Sequence, residues 1–301
     1  MTKRTTHAQA RGETPLIDAE DLRVTLPTGE RDEVEAVRGV TLSIGRGERV
    51  GLVGESGSGK SVTGRAIAGL LPESPRVRVT GSLRIDGAEM IGAEEARWAD
   101  VRRSRVGMIF QDPLTFLNPT MRVGAQVAES LPPAVRRDRT ARAAAVHDFL
   151  SQAGLDRAEQ VARAYPHELS GGMRQRVLIA IAIAKKPELV LADEPTTALD
   201  ATVQLRVLRT LDETVSELGT SLLLISHDMA VVAGMTDRLY VMYAGRIVES
   251  GPTRRLIDAP EHPYTRALLR SVRSLSDDGT ELYSIPPGLR AELREEADRA
   301  A

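Results

Sequence analysis

Lys60 and Ser61 close the segment GESGSGKS at residues 54–61, and Asp193 and Glu194 stand at the end of the apolar run ELVLADEP at residues 188–195. A lysine among glycines and two adjacent carboxylates are the equipment for handling phosphate. The first segment fits GxxxxGK[ST], with Gly54, Gly59, Lys60 and Ser61 in the fixed places. Glycines at such spacing let successive backbone N–H groups curl around phosphate oxygens, and a following helix adds the favourable field of its N-terminus. Lys60 reaches terminal phosphates in such a loop, and Ser61 offers a hydroxyl to Mg²⁺, a hard cation that takes oxygen ligands and keeps several waters. Asp193 suits the same cation. Glu194 suits the orientation and deprotonation of an attacking water. Taken singly, a glycine-rich turn and a solvated acidic strand end are the alternatives.

Three further segments fall in order. Gln111 follows the apolar run RVGMIF, LSGGMRQR occupies residues 169–176, and His227 follows the run SLLLIS at residues 221–226. Ser170, Gly171 and Gly172 open a stretch with apolar residues at Val177, Ile179, Ala180, Ile183 and Ala184, so free N–H groups at a helix start point at an anion. With both phosphate segments in order around it, LSGGM resembles the signature of the ATP-binding cassette (ABC) ATPases, commonly LSGGQ. Met173 in place of glutamine is similar to the oligopeptide, dipeptide and nickel importer branch. QDPLTFLNP at residues 111–119 and HPYTRALL at residues 262–269 resemble the same branch, although neither segment shows a chemical need for its residues. The resemblance spans residues 16–275.

What the resemblance implies is specific. ATP and Mg²⁺ are the cofactors. Gly54, Glu55, Ser56, Gly57, Ser58, Gly59, Lys60, Ser61 and Val62 contact the nucleotide, and Ser61, Gln111 and Asp193 hold the metal. Glu194, His227 and Gln111 form the catalytic set. Ser170, Gly171 and Gly172 complete the site of a partner subunit, and Asp200, in the ALD segment, crosses to it. The family stacks adenine on an early aromatic residue, yet no Phe, Tyr or Trp precedes Trp98, so Leu26 or a neighbour is left to lie under the base. The implied partners are a sister ATPase subunit of LSGGQ type, two integral membrane permease subunits and, indirectly, an extracytoplasmic solute-binding protein. This places the chain at the cytoplasmic face of the membrane as the ATPase of a peptide importer. A nickel or other small-solute importer, a soluble cassette ATPase acting in DNA repair or translation, and a non-hydrolysing subunit are the competing readings. A single copy of each motif opposes the second, and Lys60, Glu194 and His227 oppose the third.

The elements that position these residues follow from pattern. LRVTL and VEAVRGVTLSI alternate as strands around PTGERDE, and GSLRIDG predicts another pair. The run RVGLV feeds the phosphate loop, and SVTGRAIAGLL after it is helical, with apolar positions at Val62, Ala66, Ile67 and Leu70. Residues 112–166 turn helical, with Ala143, Val146, Phe149 and Leu150 on one face of residues 139–153. Strand and helix then alternate, the mark of a mostly parallel sheet under helices. The expected fold is therefore α/β: a P-loop NTPase with a mostly parallel central sheet, an antiparallel β subdomain and an inserted helical subdomain. Residues 1–15 read as a disordered tail, 16–260 as the ATPase domain and 261–301 as a C-terminal extension with a flexible end that lacks the cysteine-bearing segment of many relatives.

Composition sets the outer bounds. The 301 residues are 42% hydrophobic with one Trp, three Phe and five Tyr, so aliphatic side chains must fill the core. A net charge of −2 exerts no general pull toward nucleic acid, and the arginine clusters at 102, 103 and 105 and at 136, 137 and 139 read as solvated faces. Without cysteine, disulfides and thiolate-held metals are excluded. No run reaches the roughly 20 apolar residues of a membrane helix, and MTKRTTHAQARGETP has no hydrophobic stretch to make it a secretory signal.

Overall fold

The computed structural model describes residues 14–29, 32–197 and 199–273. Except for residues 14 and 15, the expected N-terminal tail lies outside these, as does the chain after residue 273. In chain order the elements are β1 (Ile17–Pro27), β2 (Glu33–Ile44), β3 (Arg49–Val53), α1 (Lys60–Ile67), β4 (Arg78–Ile85), β5 (Ala88–Glu89), α2 (Glu95–Ser104) and β6 (Val106–Ile109). A helical stretch follows, with α3 (Pro113–Phe116), α4 (Val123–Glu129), α5 (Pro133–Arg137), α6 (Arg139–Gln152), α7 (Ala158–Arg163) and, after a short 3₁₀ turn, α8 (Gly171–Ile183). The chain then alternates through β7 (Leu189–Asp193), α9 (Ala201–Leu218), β8 (Ser221–Ser226), α10 (Met229–Met235), β9 (Arg238–Tyr243), β10 (Arg246–Pro252), α11 (Thr253–Asp258) and α12 (Pro263–Arg273).

Apolar runs that precede the chemical motifs become neighbours in one sheet, ordered β10-β9-β3-β8-β7-β6. Five of its strands are parallel, and β10 pairs antiparallel with β9. Every residue of β7 and β8 is buried, as parallel strands covered on both faces require. Register then does the positioning. Val53 pairs with Ser226, Asp193 with Ile225 and Ile109 with Ala192, so the residues after β3, β6, β7 and β8 all emerge at one edge. Carboxyl ends of parallel strands are where ligands of such sheets bind.

A second sheet, β2-β1-β4-β5, is antiparallel throughout. The central sheet separates two apolar cores. On one side Leu52, Leu191 and Ile225 pack with Ile67 of α1 and with Ile17, Val24 and Val40 of the antiparallel sheet. On the other, Val190, Ala192 and Leu224 pack with Val127, Leu150, Ile179, Leu211 and Tyr264 from the helices.

Four local expectations are corrected. Helix α1 stops at Ile67, because Gly69 takes φ 64° and the N–H groups of Gly69 and Leu70 bond back to Ala66 and Arg65; Leu70 is left exposed. Ala143 faces outward on α6, whose buried positions are Val146, Phe149 and Leu150. Arg105 is not a solvated charge: it bonds Glu188 and Asp86, which Arg46 also bridges, and these carboxylates hold its guanidinium firmly protonated. Arg102 likewise donates to the Gly69 carbonyl at 2.9 Å, beside the end of α1.

Candidate active site

Backbone shape dictates the loop between β3 and α1. A Cβ on Gly54 would lie 2.1 Å from the Met242 carbonyl oxygen, and one on Gly59, at φ 103°, 2.4 Å from that of Ala36. Only glycine fits there. Gly57 faces open space and is favoured there by its φ of 80° alone. Ser58 Oγ is buried and has no hydrogen-bond partner among the described residues, which leaves a hydroxyl to give to a bound oxygen. Ser56 is exposed at the loop tip, and Val62 is half-buried on α1.

Lys60, only 4% exposed, donates from Nζ to the carbonyls of Gly54 and Glu55, both at 2.8 Å. Burial pushes its ammonium below the ordinary lysine value, against the favourable charges of Glu194, Asp193 and Glu55. A desolvated cation set in a glycine-rich loop before a helix is a site for an anion. Next to it Ser61 Oγ donates to Asp193 Oδ1 at 2.8 Å. Burial raises the Asp193 carboxyl above the usual range, and the Ser61 bond and the Arg65 charge counter it only in part. These two oxygens form a donor set that suits Mg²⁺.

Glu194 sits one residue past β7 with φ 47°, a conformation that costs a non-glycine residue about 1–3 kcal/mol. It persists because its surroundings fix it. Its N–H donates to the Ile225 carbonyl at 2.9 Å, while Oε2 receives Gln111 Nε2 at 3.2 Å and Thr197 Oγ1 at 2.9 Å and lies 3.2 Å from His227 Nδ1. The Glu194 side chain is 11% exposed and that of His227 53%, so the carboxylate is sheltered and the imidazole open to the outside. One oxygen thus gathers three polar groups from three loops. Thr197 was not among the residues marked from sequence; its place three residues after Glu194, on the turn leaving the strand, was the available signal.

Elsewhere the expected site residues are placed differently. Ser170 caps α8, with Oγ accepting from Met173 N at 3.4 Å, and Gly172 abuts α9, where a Cβ would lie 2.4 Å from Val203 Cγ1. Among the described residues no hydrogen bond joins Ser170, Gly171 or Gly172 to the phosphate loop. Asp200 caps α9 by accepting from Val203 N at 3.0 Å. Leu26 is half-buried on β1 opposite the exposed Val34 of β2.

The two segments without an evident chemical need now have one. Asp112 caps α3 through Leu114 N and Thr115 Oγ1, at 2.9 and 2.6 Å, and Phe116 stacks on Phe110 with ring centroids 3.6 Å apart, which fixes the chain on either side of Gln111. Tyr264, on α12, is wholly buried and takes the Glu55 N–H on its hydroxyl at 2.8 Å.

Comparison with known proteins agrees with this geometry. Residues 37–197 match the ABC transporter family, and residues 248–297 the oligopeptide/dipeptide transporter C-terminal region. The oligopeptide transport ATP-binding protein OppD of Bacillus subtilis is 42% identical over 280 residues, 93% of this chain and 78% of that one. The probable D,D-dipeptide transport ATP-binding protein DdpD of Escherichia coli is 49% identical over 259 residues, 85% and 78% of the two chains. Among solved structures, the dimeric bacterial ABC transporter cassette MJ0796 superposes with a TM-score of 0.69 at 28% identity, covering 79% of this chain and 99% of that one. A post-hydrolysis dimer of the same cassette, bound to ADP and Pi, gives 0.68. A buried lysine under a glycine cradle, the carboxylates beside it and these extended matches place the chain in the ABC transporter family, within the branch that carries the oligopeptide/dipeptide transporter C-terminal region.

Proposed function

We propose that this chain is the ATP-hydrolysing subunit that energises an importer of di- or oligopeptides. The observation that carries the reading is the convergence of Gln111, Thr197 and His227 on one oxygen of Glu194, next to a phosphate loop whose lysine is buried. The names of the relatives supply the peptide.

In this reading the loop amides and Lys60 hold the β and γ phosphates, and Ser61 and Asp193, with Gln111 nearby, hold Mg²⁺. The metal supplies charge neutralisation on the phosphate oxygens. Glu194 accepts the proton of the water that attacks the γ-phosphorus, the bond to the ADP oxygen breaks, and ADP and phosphate leave. Gln111 and Thr197 fix the carboxylate's orientation, and His227, exposed at the rim, faces the γ-phosphate. Positioning and electrostatics supply most of the acceleration in phosphoryl transfer, which is why so many groups serve one oxygen.

The signature residues act on a second subunit. Support comes from the lack, among the described residues, of any hydrogen bond between them and the chain's own phosphate loop, and from the dimeric state of the MJ0796 cassette. A sister subunit of LSGGQ type is the expected mate. Leu114 and Phe116 are 61% and 46% exposed beside Gln111, apolar surface that suits contact with a membrane subunit. Among the described residues no helix is long and apolar enough to cross a membrane, so attachment to the membrane's cytoplasmic face runs through such partners. The test is uptake of a labelled dipeptide by cells lacking this chain, with turnover measured beside it. Wild type restores uptake and E194Q does not; restoration of nickel uptake alone would transfer the role to that solute.

A further inference from the structure

We propose that Tyr264 is a positioning residue of the nucleotide site, through which the C-terminal extension sets the shape of the phosphate loop. The proposal rests on the reading of residues 54–61 as the ATP-binding loop. The phenol oxygen meets Glu55 N at 2.8 Å across 209 residues of sequence. Glu55 is the second residue of that loop, and its carbonyl accepts Lys60 Nζ at 2.8 Å. Tyr264 and Lys60 therefore grip the same residue from its two peptide planes, one through the N–H and the other through the C=O. A donor committed to a phenol is not offered to phosphate, so the contact also selects which loop amides face the ligand.

Nothing about the tyrosine's placement is loose. Its ring is 0% exposed and lies tilted at 50° against Tyr243, with centroids 4.6 Å apart. Tyr243 ends β9, and the turn after it supplies Gly245 N, which donates to the Ser58 carbonyl at 2.9 Å. The loop is thus held at two points by the last third of the chain, at Glu55 and at Ser58. The start of α12 is fixed from β10. Glu249 accepts from the N–H groups of Glu261 and His262 at 2.9 and 3.1 Å, and His262 Nδ1 accepts from Tyr264 N at 3.2 Å. A continuous line of contacts runs from Glu249 through His262 and Tyr264 to Glu55. Buried phenols carry a polar tip that needs a partner, and here that partner is the loop itself.

Y264F removes the oxygen and keeps the ring on Tyr243. In the full-length chain the expected results are faster amide hydrogen exchange at residues 54–58 without nucleotide and a Kd for MgATP raised roughly three- to tenfold, the usual worth of one such bond. The kcat of the assembled ATPase stays within about twofold, since no group at the reacting atoms is lost. L269A, a packing change on the same helix, lowers the melting temperature and leaves Kd unchanged. Should Y264F fail to fold, E249A, which keeps the phenol but removes the two bonds that fix the start of α12, carries the test with the same readouts. Unchanged exchange and unchanged Kd in a folded variant overturn the proposal and leave the ATP reading standing. Failure of the wild-type chain to bind MgATP overturns both.

Discussion

His227 Nδ1 lies 3.2 Å from Glu194 Oε2, an oxygen to which Gln111 Nε2 also donates. Carboxylate and imidazole come from the ends of adjacent parallel strands, β7 and β8, so their meeting depends on one register, Asp193 against Ile225. Removing the base while keeping the shape isolates its chemistry. E194Q is expected to lower ATP turnover about 10²- to 10⁴-fold and to keep MgATP binding within a few-fold of wild type. Phosphate release measured beside nucleotide binding checks this; turnover near the wild-type rate would remove Glu194 from the role of base.

Thr197 offers a finer test. Its hydroxyl donates to the same Oε2 at 2.9 Å, and valine reproduces its shape without that bond. T197V is expected to lower kcat roughly ten- to a hundredfold, the worth of one hydrogen bond to a charged acceptor, with KM for ATP unchanged. A variant that shifts only the melting temperature would make Thr197 a structural residue.

Asp193 ties hydrolysis to pH and stability. Burial raises its carboxyl in the folded chain above the unfolded value, so keeping it ionised opposes folding. The sign follows: stability from this group is fully present below the unfolded pKa and is lost as pH rises through the raised folded one. D193N is therefore expected to melt higher than wild type at neutral pH, with the difference shrinking toward acid, while Mg²⁺-dependent turnover falls at least about 100-fold. Melting curves across pH 4–8 with matched turnover assays decide it; a variant less stable at every pH would sink the assignment of cause.

The phosphate loop's backbone leaves no room at Gly59. With φ at 103° and a backbone oxygen 2.4 Å from where a Cβ would sit, G59A is expected to lose about 2–4 kcal/mol of folding stability, strain and overlap together. Urea denaturation measures this, and a loss below about 1 kcal/mol would show that β2 yields.

Which features were legible in the sequence depended on whether the information was local. The helix at Ala201–Leu218 and the strands beneath each motif follow from apolar spacing and turn residues, and the order of GESGSGKS, LSGGM and LADEP located the chemistry. Contacts fixed by register were not legible. Tyr264 gains meaning only once α12 lies under a loop 209 residues away, whereas Thr197, three residues after Glu194, carried a local signal that only the turn's geometry turns into a contact. Arg105 misled for a related reason, since a run of arginines looks solvated until pairing of β6 with β7 brings Glu188 to it and the packing of the two sheets brings Asp86.

The division of apolar packing into two cores has a mechanical consequence. Helix α1, which begins with Lys60, belongs to the core shared with the antiparallel sheet, whereas the helical stretch around α4, α6 and α8 belongs to the other. Between them stand strand backbones whose successive side chains alternate sides. A torque applied to the helices is therefore resisted by one core while α1 stays seated in the other, and the phosphate loop is tied to both, through α1 and through Tyr264. The sheet acts as a bulkhead, and what passes across it is what the loops at its carboxyl edge carry, Gln111 and Glu194 foremost.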